Sequence, residues 1–396
     1  MNSGEKDMLL RSILFIGMYP DNVNQYRNVF FRNLIYAIAD SGVKCTVISP
    51  VPVTKYRYKT KEIPIETIDY STNGKPIKVY YPRYASLSSK KLGVINTGVW
   101  SEKLFQKAAI GVVKKLDESF DAVYGHFFVS GGLAAIRIGK MINSPSFVAY
   151  GECNYESEVV KLYHNLENKD VDGLAGIISV STHNANVIKE QNWYNNTPII
   201  IAPNSVDLEL FFRRDREECR KKLCLPSDKF IVGFVGGFIE RKGDKRLLEA
   251  VNSIKDVYVA FAGRGENQPS GEKVLFCSAL NHDDIPVFLN AVDVFCLPTQ
   301  NEGSCNAIVE AASCGIPIIS SDLPFNDDLL SDRNSIRINP NSVLEIRDAI
   351  IKLYENESLR QTLAETVYED SKAFGIDARC KRILEFISQV VFQEER

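Results

Sequence analysis

The chain has 396 residues, 45% hydrophobic and 24% charged, enough length and apolar content for two ordinary domains with their own cores. It holds no apolar run of about 18 residues, so no membrane-spanning helix is expected. The net charge of −3, spread over a mildly basic first half and an acidic second half, gives no basis for nucleic-acid binding. The first stretch carries Glu5 and Asp7 with only a short apolar run, Ile13 to Met18, so a signal peptide is not expected. Nine cysteines occur without a C-x-x-C pair, which reads as buried free thiols in a reducing cytoplasm.

The first half alternates strands and helices. Ile13 to Gly17 reads as a strand, and Val29 to Ser41 as a helix with Phe30, Leu34, Ala37 and Ile38 on one face and Gly42 closing it. Cys45 to Ser49 is a second strand, so the sheet is expected to be parallel with right-handed crossovers. Ala122 to Tyr124 is a strand ending at Gly125-His126, Gly131 to Ile142 a helix, and Ser146 to Tyr150, Gly176 to Val180 and Ile199 to Ala202 further strands. The second half repeats the pattern: strand Phe230 to Val235, a Gly-rich loop to Gly243, helix Asp244 to Asn252, strand Tyr258 to Ala262 and strand Lys273 to Phe276. A strand from Val294 to Leu297, a helix from Asn306 to Cys314 and a strand from Ile316 to Ser320 form a βαβ unit. Helices near 342–355 and 357–372 follow, and an amphipathic one over 377–392 ends the chain.

Ligands of such units sit at the carboxyl ends of strands, against helix N-termini. There the 292–322 unit places Glu302 in its loop and Glu310 about one turn into its helix. The backbone N–H groups of Gly303, Ser304, Cys305 and Asn306 are expected to face the same space. Acids that accept sugar hydroxyls beside N–H groups that hold phosphate describe a nucleotide-sugar site. Lys242, with Arg241 before it, supplies positive charge in the loop after an earlier strand. Asn24 and Arg27 follow the first strand, His126 ends a later one, and Glu152 follows another, so each is a candidate on the same grounds. Asp170-Val171-Asp172 reads as a solvated loop, and no cluster has metal-ligand spacing. Lys55 to Lys61 interleaves bases and aromatics, which suits an anionic membrane surface as well as an ordinary exposed loop. His282, beside Asp283 and Asp284, reads as a surface residue at a helix start.

The string P-x-x-x-E-G-x-x-N-A-x-x-E-A-x-x-x-G-x-P-I-I, from Pro298 to Ile319, resembles the donor-site signature of family 4 glycosyltransferases of the GT-B fold. The resemblance implies an α/β chain of two Rossmann-like domains facing across a cleft. An N-terminal acceptor domain would occupy 1–207 and a nucleotide-sugar domain 208–375, with a C-terminal helix, 376–396, crossing back to the first domain. It implies a retaining transfer from a UDP- or GDP-sugar to a glycan or lipid-linked glycan, in surface polysaccharide assembly, with no cofactor and no metal. The enzyme would be cytoplasmic, with peripheral contact at the inner membrane face. Glu302 would touch the donor sugar's hydroxyls and Glu310 the ribose hydroxyls of the nucleotide.

Phe234 to Gly243 resembles the family loop that clamps the donor diphosphate; Gly237 stands where many members have Arg, and Arg241 is then the second cation. Gly263-Arg264-Gly265-Glu266 resembles a family turn that meets the nucleotide through its backbone, here at Gly263. Pro203 to Asp207 resembles the P-N-G-V-D entry to the second domain, with Ser205 for Gly. The family has a His where His126 stands, close to the transferred sugar, and Gly-x-Asp where Gly151-Glu152 would meet the acceptor. Glycines usual after the first strand are absent, with Asn28 at the position that needs a left-handed turn. Two rival readings stand beside this one: a non-catalytic nucleotide-sugar-binding protein, and an NAD-dependent dehydrogenase, whose G-x-G-x-x-G spacing is not met.

Overall fold

The structure is a computed structural model that describes residues 10–393 apart from 26, 55–58, 88–90, 93–94, 154–170, 172, 192–193 and 195. Its contacts divide the chain into two units, Met1–Ala202 with Asp377–Arg396, and Pro203–Ile376. The break falls before Pro203 because the segment after it is tied into the second unit. There the Asn204 amide donates to Ser304 and Val206 bridges Gly375.

In the first unit the chain runs β1 (Ser12–Ile16), α1 (Val29–Asp40), β2 (Lys44–Ile48), β3 (Val51–Pro52), β4 (Glu66–Tyr70), β5 (Pro76–Tyr80) and β6 (Arg83–Tyr84). It continues through β7 (Lys91–Leu92), β8 (Ile95–Asn96), α2 (Thr97–Val113), β9 (Ala122–His126), α3 (Leu133–Ile142), β10 (Ser146–Tyr150), β11 (Leu174–Ser179), α4 (Thr182–Glu190) and β12 (Ile199–Ile201). Eight strands form one sheet in the order β12-β11-β10-β9-β1-β2-β5-β4, parallel except for the edge strand β4. The apolar runs of β1, β9 and β10 are buried throughout, as strands covered on both faces must be. The last helix belongs here: Phe386 packs edge-on against Phe147, and Gly176 leaves the room its ring needs.

The second unit runs α5 (Arg216–Lys222), β13 (Phe230–Val235), α6 (Asp244–Asn252), β14 (Val257–Ala262), β15 (Val274–Ser278), α7 (Ile285–Ala291) and β16 (Val294–Leu297). Then come α8 (Asn306–Ser313), β17 (Ile318–Ser321), β18 (Ser335–Ile338), α9 (Val343–Glu355) and α10 (Glu357–Ser371), before α11 (Ile376–Gln393) returns to the first unit. Its six strands are all parallel in the order β15-β14-β13-β16-β17-β18. This is the doubly wound order in which the chain reverses direction between the first and fourth strands. That switch point lies between β13 and β16. In the first unit the corresponding reversal lies between β1 and β9.

Two expectations shift. The buried face of α1 is Val29, Phe31, Leu34, Ile35, Ile38 and Ala39, because the apolar arc turns one residue from the expected one. Phe30 and Ala37 are only half-buried, and Phe30 lies instead against the His126 ring. The helix expected from Gly131 begins at Leu133. Phe127–Gly132 forms a wide irregular turn before it, with Phe127 at φ 61 and Ser130 at φ 72.

Beneath β13 and β16 lies a buried ion pair. Arg220, 1% exposed, places Nη2 at 2.7 Å from Asp293 and gives its other N–H groups to the carbonyls of Ala291 and Ser227. Asp293 also accepts from the Ile231 amide and pairs with Arg216. Removing Asp293 leaves the Arg220 guanidinium buried with only carbonyl partners and no anion. Asp293→Ala should therefore cost about 3–5 kcal/mol, read as a lowered denaturant midpoint; a midpoint equal to that of the wild type would contradict it.

Candidate functional site

The loops that leave β13 and β16 meet at the switch point of the second unit. The turn Glu240–Lys242 ends at Gly243, whose φ of +81 and approach to Pro298 admit no side chain; a Cβ there would sit 2.6 Å from the Pro298 carbonyl oxygen. Arg246 reinforces the junction by donating to the carbonyls of Pro298, Glu240 and Pro340. The Gln300 amide donates to the Arg241 carbonyl. So braced, the two loops bring Lys242, Arg241 and Glu302 together.

One oxygen of Glu302, Oε1, takes every one of these donors: Lys242 Nζ at 2.6 Å, Arg241 Nη1 at 2.9 Å and Thr299 Oγ1 at 2.8 Å. Arg241 also holds the Asn301 carbonyl. Glu302 is 9% exposed, and Oε2 receives no donor from the described residues. Burial works against the charge of Lys242, but Cys305 and Glu302 beside it outweigh that, and its pKa stands above the ordinary lysine value. The Cys305 thiol is pushed up to about 11 by burial, against the pull of Lys242.

Beyond Glu302, Gly303, Ser304 and Cys305 lead into α8. No acceptor among the described residues takes the backbone N–H groups of Gly303, Ser304, Cys305 or Asn306, so they remain available as a group. The side chain of Ser304 is engaged elsewhere, accepting from the Asn204 amide, and Asn306 Oδ1 is buried without a partner. Glu310, on the second turn of α8, does not join Glu302; its Oε1 lies 3.3 Å from His282 Nε2. His282 is thus turned toward a candidate site acid and is not the surface residue expected.

Gly237 faces open space, with only the Arg264 carbonyl oxygen, at 3.8 Å, near a Cβ built on it. Gly263 has a different reason to be glycine. A Cβ there would run into the Gly236 carbonyl oxygen, and its own N–H is taken by Ser278, so it packs two loops together and offers no free amide.

The candidates of the first unit are turned inward. The Asn24 side chain bonds Asp21, and Arg27 reaches Met18. Asn28 adopts the left-handed conformation, φ 49, that the missing glycine would have supplied. His126 ends β9 as expected, but its ring lies among Phe31 (centroids 4.2 Å apart), Phe127 (4.7 Å) and Phe30 (5.3 Å). Burial first, then the charge of Arg379, lowers its pKa to about 3, so the ring is neutral, with both nitrogens unpartnered.

Glu152 was expected to meet an acceptor. Its Oε1 instead accepts from the amides of Phe128 (2.6 Å) and Val129 (3.1 Å), and Oε2 from that of Gly151 (3.1 Å), fixing the irregular turn after His126. Thr299, Asn204 and His282 are contributors that the sequence pattern did not single out. Only Thr299, three residues before Glu302, carried a signal that spacing could have found. Asp170, Asp172, Lys55 and Arg57 lie outside the described residues. Among the described residues no group of three or more His, Cys, Asp or Glu is arranged to hold a metal, and no helix is long and apolar enough to cross a membrane.

The fold is that of GT-B glycosyltransferases, and comparison with known proteins supplies the class. Residues 215–370 match the family Glycosyl transferases group 1. The chain is 24% identical over 380 residues to the putative teichuronic acid biosynthesis glycosyltransferase TuaC of Bacillus subtilis, covering 91% of this chain and 94% of that one. It is 25% identical over 382 residues to the N,N'-diacetylbacillosaminyl-diphospho-undecaprenol alpha-1,3-N-acetylgalactosaminyltransferase of Campylobacter jejuni, covering 91% and 95%. The crystal structure of Anabaena Alr3699/HepE in complex with UDP shares the fold, with a TM-score of 0.69 at 16% identity over 96% of this chain and 100% of that one. The protein is a glycosyltransferase of glycan or polysaccharide biosynthesis, built on the GT-B fold.

Glu152 makes stability depend on pH. Burial, opposed by its backbone hydrogen bonds, raises its pKa to about 7. From the ordinary carboxyl range up to about 7, the unfolded chain has released this proton while the folded chain keeps it, so stability falls with rising pH at about 1.4 kcal/mol per unit. Above about 7 the contribution is flat. Glu152→Gln, which imitates the protonated acid, should gain thermal stability relative to wild type between pH 5 and 7.5. Parallel melting-temperature curves for the two proteins would refute this.

Proposed function

We propose that the protein is a metal-independent hexosyltransferase of the family 4 type. It moves a sugar from a UDP- or GDP-linked donor, with retention of configuration, to a glycan or lipid-linked glycan in surface polysaccharide assembly. The observation that carries this reading is the anchoring of Glu302 by one oxygen, with Lys242, Arg241 and Thr299 on Oε1 and Oε2 left open. A sugar hydroxyl donates to Oε2. The donor diphosphate lies against Lys242, Arg241 and the amides of Gly303 to Asn306, and Glu310 accepts from the ribose hydroxyls.

In the transfer, the bond from the sugar's anomeric carbon to the diphosphate oxygen breaks and a bond to the acceptor oxygen forms on the same face. The acceptor's proton passes to the departing diphosphate. Lys242 and Arg241 stabilise the charge that develops there, a task that needs fixed cations and not a side-chain nucleophile. The UDP bound to the Anabaena protein supports a uridine nucleotide, and the name of the Campylobacter relative supports an acceptor carried on a lipid diphosphate. Such an acceptor would keep a cytoplasmic enzyme in peripheral contact with the inner face of the membrane.

Glu302→Ala and Lys242→Ala should each slow donor turnover about 10²–10⁴-fold, measured as release of UDP or GDP. Both variants within tenfold of wild type would remove the site assignment, and no release by the wild type would leave a binding protein. A thermal-shift series with UDP-, GDP- and ADP-sugars selects the nucleotide, since the donor that binds raises stability by mass action. The space at Gly237 gives a separate check on Arg241. Arg241→Ala should lose turnover, and adding Gly237→Arg should recover at least tenfold of it by restoring a charge-assisted contact. A double variant no better than Arg241→Ala would show that the guanidinium of Arg241 is not serving the diphosphate.

A further inference from the structure

Glu302 has an evident anchor, and Glu310 has a less obvious one. The 3₁₀ turn His282–Asp284 follows β15, at the edge of the sheet, whereas α8 follows β16. Two strands, β14 and β13, separate β15 from β16, yet the segments that follow them bring His282 Nε2 to 3.3 Å from Glu310 Oε1. The ring is held on another side by Phe211, centroids 5.2 Å apart, and its Nδ1 lies 4.0 Å from Asp283 Oδ1. Both side chains are largely covered, 28% exposed for His282 and 12% for Glu310. A carboxylate only accepts hydrogen bonds, so this contact requires that Nε2 carry the proton.

We propose that His282 is a positioning residue of the donor site: it donates Nε2–H to Glu310 Oε1 and so presents Oε2 of that acid to the ribose hydroxyls of the nucleotide. This rests on the reading of Glu310 as the ribose contact. The two acids then share one design, with one oxygen fixed by a protein donor and the other turned to substrate. An acid already fixed in its rotamer loses little freedom when ligand binds, so the effect belongs to affinity and not to the chemical step.

The test separates hydrogen bonding from packing. His282→Phe keeps a ring against Phe211 and removes the donor, whereas His282→Gln keeps a side-chain N–H and removes the ring. Both, with Glu310→Ala and the double variant His282→Phe/Glu310→Ala, are compared with wild type for binding of UDP and GDP by calorimetry and for donor kinetics. His282→Phe should weaken the nucleotide that binds by about tenfold, with the donor KM rising in step and kcat within twofold. His282→Gln should recover most of that affinity. The double variant should bind no more weakly than Glu310→Ala alone, because His282 acts only through Glu310. Wild-type affinity in His282→Phe, a deficit confined to His282→Gln, or additive losses in the double variant would each overturn the proposal while leaving Glu310 in place. Unchanged affinity in Glu310→Ala would overturn the ribose reading and the proposal together.

Discussion

The second unit is organised around one ion pair, Lys242 with Glu302, held at 2.6 Å across the reversal between β13 and β16. The pair constrains everything near it. Two loops must approach until a glycine, Gly243, is the only residue that fits against Pro298, and Arg246 must fill the junction behind them. An ion pair taken this far from water is a poor device for stability, because desolvation consumes most of the Coulomb gain. Its placement at the carboxyl ends of the two central strands makes better sense as chemistry held ready. Two cations and one acid share a single oxygen, and substrate can take up the groups that remain.

Cys305 sharpens this. Its thiol adjoins Lys242, but burial keeps it protonated at neutral pH, so Glu302 is the anion that balances the ammonium. On the proposed reading, a diphosphate entering beside Lys242 and Arg241 would meet cations that, among the described residues, share one carboxylate oxygen, Glu302 Oε1. The amides of Gly303 to Asn306 add positive potential without adding mobile charge. Stabilising charge on a leaving group is most effective when the donors are fixed before the bond breaks, and here Lys242 and Arg241 are held by Glu302 and the Asn301 carbonyl.

Much of this was legible in the sequence, for identifiable reasons. Apolar runs separated by helical periodicity give parallel strands buried on both faces, and the order of elements fixes where the chain reverses. Glu302, Lys242 and Arg241 stand out chiefly because residues 298–319 and 234–243 resemble family loops, and the structure brings these three side chains together. Asn28 could be foreseen in the left-handed region because few other residues tolerate it. What could not be read was side-chain direction. Asn24, Arg27 and Glu152 all follow strand ends, as expected, and all turn back into the protein, to a carboxylate, a thioether sulfur and backbone amides respectively. Position after a strand specifies a loop, not which way its side chains point. His282 escaped for the opposite reason: in a polar run with no periodicity, nothing in the sequence ties it to an acid on α8.

The two units thus put one topology to different uses. At the reversal in the second unit, charge is largely buried and only partly satisfied. At the reversal in the first, Glu152 spends its carboxylate on three backbone amides and His126 is a neutral ring among aromatics. That carboxylate is what holds a turn with two left-handed residues, Phe127 and Ser130, a conformation that costs free energy and persists only when its surroundings impose it. A strained turn kept in place by a buried acid beside a neutral, unpartnered imidazole is an arrangement for shape and hydrogen bonding. On the proposed transfer, the cationic site of the second unit would serve the departing diphosphate, a task that needs fixed positive charge.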